Sequence, residues 1–284
     1  MPERTSRERR STFFKVRVSV LLFVLVAVSL YAVADWSRRR ARNDWTRPLL
    51  VGLVLVEIGP VEDRAVSLLR ERVHTLEAVL AAEAQRYGGR IGAMANRPPF
   101  GVMVFGPVVV KERPPTLVGD GLSALVEYSI SKWRYVSALD RAANVDGRGL
   151  DARIYLVAHP AGEGGTNFVE GVSESGGRTG FVEVNLDESM VDFALFVFAH
   201  ELFHTLGATD KYDERGYALV PAGLADPDLV PLYPQRRAEL MARGRPLAPG
   251  REVPPETIDE LGVGSLTASE IGWTATRPGA QGSP

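Results

Sequence analysis

The sequence contains no cysteine. That absence excludes disulfide frameworks, cysteine nucleophiles, thiolate-bound metals and lipid attachment through a thiol. A metal ion would have to be held by imidazole and carboxylate, and histidine is scarce as well. The only four are His74, His159, His200 and His204. Lysine is nearly missing, with 29 Arg against 4 Lys, a bias that points to a GC-rich bacterial source. Net positive charge is also lacking beyond the amino-terminal segment. Residues 1–47 hold 11 Lys/Arg and 4 Asp/Glu, whereas the remainder holds 22 and 31, so a head of +7 precedes a body of −9. An acidic body lacks the basic face that nucleic acid requires, and no nucleic-acid partner is expected. Long apolar runs are absent too, with one exception.

The exception is Val18 to Ala34, VSVLLFVLVAVSLYAVA, 17 uncharged residues between Arg17 and Asp35. A bilayer span takes about 20 mostly apolar residues, so residues 18–36 reach across if Trp36 sits at the interface. Two readings compete. Ala32-Val33-Ala34 supplies the A-x-A that precedes signal cleavage. Arg38-Arg39-Arg40 directly after the run favour a retained anchor, because basic residues there impede export of a cleaved chain. Arg9-Arg10 ahead of Phe13-Phe14-Lys15 has part of a twin-arginine pattern, but Thr12 occupies its apolar position. Basic residues flank both ends of the run, so the positive-inside rule barely discriminates. The expectation is a single-pass anchored or exported chain, with the amino terminus inside and the main domain outside.

Residues 35–47 are charged, lack periodicity and read as a linker, which closes an amino-terminal segment 1–47. From there the pattern predicts strand Leu49–Ile58, helix 62–87 stopped by Gly88-Gly89, and strand Phe100–Val110 interrupted at Gly106-Pro107. A helix from Gly121 to about Asn144 and a strand Asp151–Ala158 follow. Gly162–Gly180 reads as a loop, and Phe181–Leu186 (FVEVNL) alternates like a half-exposed strand. Ser189 opens a helix with Asp192 three residues on, in the manner of a capping box. That helix is apolar on nearly every side from Phe193 to Ala199 and is expected to be buried. The outline is an α/β domain, 48–274, divided into a larger part 48–209 and a smaller irregular part 210–274. The Gly/Pro-rich tail 275–284 is expected to be disordered.

At the end of the buried helix stands His200-Glu201-Leu202-Phe203-His204. Histidines four apart on a helix project from one face one turn apart, so both rings can reach a single ion. Glu201 lies about 100° around the helix, beside such an ion rather than on it. This is H-E-x-x-H, two metal ligands and a general base. Gly207, three residues after His204, can take the positive φ that ends a helix and turns the chain. Asp210 then follows at a distance that lets it swing back as a third ligand. His74, within a Glu/Arg-rich helix, and His159, before Pro160, read as surface or structural residues.

The run His200-Glu201-Leu202-Phe203-His204-Thr205-Leu206-Gly207-Ala208-Thr209-Asp210 resembles the metzincin signature H-E-x-x-H-x-x-G-x-x-H/D, in the variant with Asp as third ligand. That variant is similar to snapalysin-type peptidases. Asp210-Lys211-Tyr212-Asp213 also resembles the D-x-Y-D run of immune-inhibitor-A-like peptidases. The resemblance implies a zincin-like α/β (α+β) fold: a mixed sheet, an active-site helix and a smaller irregular carboxy-terminal subdomain, preceded here by one hydrophobic helix. It also implies a Zn2+ cofactor, a methionine turn beneath the metal, and a peptide or protein substrate. Met241 is the candidate for that turn, an ordinary core Met being the competing reading. Leu266 to Trp273 is similar to the closing helix of such domains. Some metzincins carry Tyr two residues after the turn methionine; Arg243 stands there, leaving Tyr212 as the substitute.

Glu201 would then be the general base of a zinc-dependent endopeptidase, accepting a proton from water and returning it to the departing amine. Phe181–Leu186 is either the edge that pairs with an extended substrate, as in metzincins, or a plain sheet strand. One alternative is a gluzincin-like site whose third ligand is Glu260 or Glu270. Another is a membrane-tethered, non-catalytic binding or scaffold protein with a structural or vestigial metal site. Residues 211–237, with several Pro and acidic residues, are candidates for a specificity loop or calcium site.

Overall fold

A computed structural model describes residues 4–88, 91, 97–160, 169–173 and 176–274. The tail 275–284, expected to be disordered, and Gly89 lie outside the described residues. The chain divides into two units, Met1–Arg42 and Asn43–Pro284. The first contains helix α1, Arg4–Arg42. Within it, Phe14–Ala34 is a stretch of 21 residues with mean hydropathy 2.4 and none of it buried. At about 1.5 Å per residue this reaches about 31 Å, the thickness of a bilayer's hydrocarbon core. It has the length and composition of a membrane anchor or of an export signal.

The second unit begins five residues before the boundary expected from composition, and the reason is Trp45. Its indole is 1 % exposed, packs edge-on against Phe100 and Trp273 at 5.6 and 5.9 Å, and donates from Nε1 to the Ile271 carbonyl at 2.8 Å. Asn43 Nδ2 likewise donates to the Leu206 carbonyl at 2.7 Å. Residues 43–47 are therefore part of the fold rather than linker. The charges around Trp45 hid a single large apolar plug.

Strand β1, Leu49–Glu57, lies between β2, Phe100–Val109, and β3, Ala152–His159, both parallel to it. Helix α2, Asp63–Gln85, connects β1 to β2, and α3, Leu122–Ala142, connects β2 to β3. Right-handed crossovers running in opposite directions across a sheet put their helices on opposite faces. Alternation along the strands divides the core accordingly. Leu53, Leu55, Ile154 and Leu156 face α2, whereas Val54, Val56, Tyr155 and Val157 face Val136 and Leu139 of α3.

Beyond β3 come β5, Thr179–Asn185, parallel to it, and β4, Val169–Ser173, antiparallel at the edge. The five-stranded order is β2-β1-β3-β5-β4, a mixed α/β architecture. Two expectations are corrected here. Part of Gly162–Gly180, read as loop, is the edge strand β4. Residues 181–186 are neither half-exposed nor an edge: Val182 and Val184 are fully buried and β4 covers that side. Glu183 gave the misleading polar alternation, since it turns to the α3 side and meets His159 Nε2 at 3.2 Å.

Helix α4, Val191–Thr205, lies against β4 and β5. Its amino-terminal entry is a 3-10 turn, Glu188–Met190, capped by Asp187 Oδ1, which accepts from the Ser189 and Met190 amides. The capping box expected at Ser189/Asp192 is not used. Asp192 instead pairs with Arg72 of α2 and accepts from the Ile258 amide. The remaining chain is irregular, with short strands β6 (Ala238–Glu239), β7 (Arg245–Ala248), β8 (Arg251–Val253) and β9 (Leu261–Gly262), then helix α5, Ser265–Glu270.

Candidate metal centre

Helix α4 is almost entirely apolar until its last turns, where His200, Glu201 and His204 appear. Their potential ligand atoms lie within 4.8 Å of one another. The two imidazoles meet edge to face, with centroids 4.7 Å apart and Nε2 atoms 3.1 Å apart. Each ring is pinned from behind. His200 Nδ1 donates to the Leu240 carbonyl at 2.8 Å, and His204 Nδ1 donates to the Ala208 carbonyl at 2.9 Å. A carbonyl only accepts, so the proton belongs on Nδ1 and the lone pair on Nε2.

The end of the helix accounts for the Ala208 contact. Gly207 has φ 96°, its amide donates to the His204 carbonyl and the Ala208 amide to Phe203. That is a Schellman ending, which needs a residue free to adopt the left-handed region. It turns the chain so that the Ala208 carbonyl faces His204 and Asp210 comes back toward both rings. Asp210 Oδ1 stands 3.2 Å from Nε2 of His200 and of His204.

The segment carrying Asp210 is fastened on either side. Lys211, 2 % exposed, donates from Nζ to both Glu270 oxygens and to Thr209, and its amide donates to the Met241 carbonyl. Glu270 also accepts from the Thr209 amide and hydroxyl. Glu260 pairs with Arg245 and accepts from the Glu256 amide. Neither carboxylate considered as a downstream ligand is therefore brought to the imidazoles. His74 lies exposed beside Glu77, and His159 is engaged with Glu183. Of the acidic residues in 211–237, Asp213 accepts from the Arg215 and Tyr217 amides, while Asp226 pairs with Arg86 and Arg237.

Met241 is fully buried in the main core. The contact that its turn makes with the centre is the backbone of the preceding residue, the Leu240 carbonyl on His200. Glu239 holds that turn by accepting from the Met241 amide at 2.5 Å and the Gly264 amide at 3.1 Å. Burial pushes the Glu239 carboxyl above its ordinary value despite those two donors. Tyr212 lines the same open cleft of about 420 Å³. Its hydroxyl lies beside Asp210, and the Arg243 guanidinium lies 4.9 Å from its ring centroid.

Glu201 is 3 % exposed, and its Oε2 has no hydrogen-bond partner. Burial raises it above the usual glutamate value, although Ser173 and the two histidines pull the other way. Ser173 Oγ faces the carboxylate without completing a hydrogen bond of good geometry. One glycine makes the space. A Cβ on Gly171 of β4 would lie 2.1 Å from Glu201 Oε1, whereas one on Gly180 of β5 would meet Ile154 Cδ1 and Ser173 Cβ at 2.9 and 3.0 Å and leave Glu201 at ordinary contact. Sequence reading passed over Gly171, Gly180 and Ser173. The available signal was a glycine inside Glu170-Gly171-Val172, where a strand glycine marks close approach of another group.

The donor set fits a divalent ion. Two imidazole Nε2 atoms and one carboxylate oxygen converge at 3.1 to 3.2 Å, close enough for one ion to be shared among them. Metal–ligand bonds of about 2.0–2.1 Å in a tetrahedron put ligand atoms about 3.3 Å apart, close to the spacing found. Asp210 lies below the usual carboxylate range: burial would raise it, but the His200 contact, both imidazoles and the Tyr212 hydroxyl outweigh that. His200 lies above the usual histidine value, because Asp210, Glu201 and the Leu240 carbonyl outweigh its burial. No protein-family model matches the chain, and no curated protein matches it.

Proposed function

We propose that the chain is a zinc-dependent endopeptidase of metzincin type, held at a membrane by α1 with its folded unit on the extracytoplasmic side. The observation that carries the reading is the convergence of His200 Nε2, His204 Nε2 and Asp210 Oδ1, with the unpartnered Oε2 of Glu201 beside them. A purely structural metal site has no use for a buried, unsatisfied carboxylate at its side.

His200, His204 and Asp210 would hold the ion, and two neutral imidazoles with a carboxylate favour zinc over harder cations. Zinc so held supplies Lewis acidity, acidifying water to a pKa of about 7 and polarising a carbonyl oxygen. Glu201 does the proton work. Its Oε2 is free to accept a proton from the attacking water and to deliver it to the departing amine nitrogen. Burial raises its affinity for that proton, which suits a group that must carry it between two steps. The absence of a side chain at Gly171 leaves room for the carboxylate. The outer edge of β4 runs along the cleft and offers backbone donors and acceptors to an extended peptide. The Tyr212 hydroxyl, beside Asp210, would contact the substrate carbonyl.

The test is metal analysis with a hydrolysis assay on pools of quenched fluorescent peptides. The full chain should bind about one zinc, and His204→Ala should lose it. Glu201→Ala should keep the zinc and lose hydrolysis by about 10³-fold or more. A chain that binds zinc but cleaves equally well with and without Glu201 refutes the peptidase reading and leaves a structural site.

A further inference from the structure

We infer that the exposed apolar face of α3 is a lipid-contact surface. This rests on the anchor reading of α1. Helix α3 is attached to the sheet through its carboxy-terminal half, where Val136 and Leu139 are its buried residues. Its amino-terminal half carries Leu122, Val126, Ile130 and Trp133, spaced i, i+4, i+8 and i+11, which is one helical stripe. These side chains are 79, 50, 46 and 68 % exposed, and Val118, just before the helix, is 81 % exposed. A stripe of that kind on an otherwise well-packed unit marks an interaction surface.

Three observations identify bilayer as the occupant. The stripe ends on Lys132-Trp133-Arg134, an aromatic residue between two cations, the pairing that sits at the level of lipid headgroups. Charge around the stripe is opposite to that of the body. Residues 111–134 hold Lys111, Arg113, Lys132 and Arg134 against Glu112, Asp120 and Glu127, a balance of +1, whereas residues 48–284 balance at −9. Finally, the same chain carries the membrane-length apolar stretch Phe14–Ala34, so on the anchor reading a bilayer is a surface within reach and modest affinity is enough to seat the face on it.

The absence of native cysteine makes a direct test simple. Val126→Cys and, as reference, Val230→Cys, a loop position 92 % exposed, are labelled in the full chain with an environment-sensitive fluorophore. The chain is reconstituted into phosphatidylcholine–phosphatidylglycerol vesicles and read by flotation, emission wavelength and quenching by nitroxide lipids. Expected are co-flotation, a blue-shifted label at 126, and quenching there several-fold stronger than at 230. A chain that floats with an equally aqueous label at both positions overturns the α3 assignment and leaves the anchor standing. A chain that does not float overturns both. A blue shift at 126 that persists in detergent and vanishes on dilution assigns the face to a second copy of the chain and overturns the lipid reading.

Discussion

Replacing Gly171 by Ala should separate chemistry from folding and from metal binding. The added Cβ would lie 2.1 Å from Glu201 Oε1, 2.7 Å from Cδ and 2.9 Å from Cγ, whereas ordinary contact begins at 3.4 Å. The oxygen therefore has to retreat by about 1.3 Å. What yields is the far end of a flexible side chain, not backbone, so the loss of stability should stay below about 1.5 kcal/mol. A displacement of about 1 Å in a reacting group costs on the order of 10²-fold in rate. That corresponds to about 2.7 kcal/mol on the barrier. Neither imidazole nor Asp210 is touched, so zinc content should be unchanged. Hydrolysis of quenched peptides, thermal unfolding and metal analysis on the same preparation read all three quantities. The loss should fall on kcat, since the methyl group points at Glu201. Activity within about twofold of the parent would show that Glu201 need not sit where it does, and the reasoning would fail. Loss of zinc together with activity would show instead that the cleft as a whole had moved.

Other perturbations follow from the same contacts. Lys211→Met removes the buried cation between Glu270 and Thr209 and should cost about 3 kcal/mol in urea unfolding. Zinc affinity should fall with it because Asp210 is the adjoining residue; an unchanged urea midpoint would contradict this. A folded unit begun at residue 48 instead of 43 lacks Trp45 and should be about 3–5 kcal/mol less stable, the cost of emptying such a buried site. Equal melting of the two chains would return residues 43–47 to the status of a linker. Asp151 is held below its ordinary value: burial opposes this, but the Arg47 guanidinium and the Leu50 amide outweigh it. A depressed folded value means the stabilisation is present above the unfolded value and lost as pH falls through the folded one, below about pH 4. Asp151→Asn should lower stability at neutral pH and flatten that acid limb; an unaltered profile would show the pair to be idle.

Local chemistry was legible where it depends on spacing along one element. His200, Glu201 and His204 share a helix, so a period of 3.6 residues is enough to relate them. Gly207 was legible for a similar reason, because a helix that ends and turns needs a left-handed residue. Asp210 lay within reach once that turn was granted. The apolar run of α1 could be read by length and composition alone, as could the alternation that places β1 and β3 inside a sheet. Residues 169–173 were not legible as a strand. They are only five residues with one glycine, set within the glycine-rich stretch 162–180, and pairing with β5 makes them extended.

What the sequence determined by itself was therefore the inventory and the helical geometry: a cysteine-free donor set, two histidines on one face, a glutamate beside them, one membrane-length helix. Tertiary structure decided how those donors are oriented. The Leu240 and Ala208 carbonyls set the imidazole protons, Glu239 holds the turn that supplies one of them, and the Lys211–Glu270 pair fixes the segment carrying Asp210. Each of these contacts but one joins residues tens of positions apart, and backbone carbonyls carry no residue identity for a pattern to detect. The exception, Ala208 on His204, needs only the turn that Gly207 makes, and that turn was visible from the start.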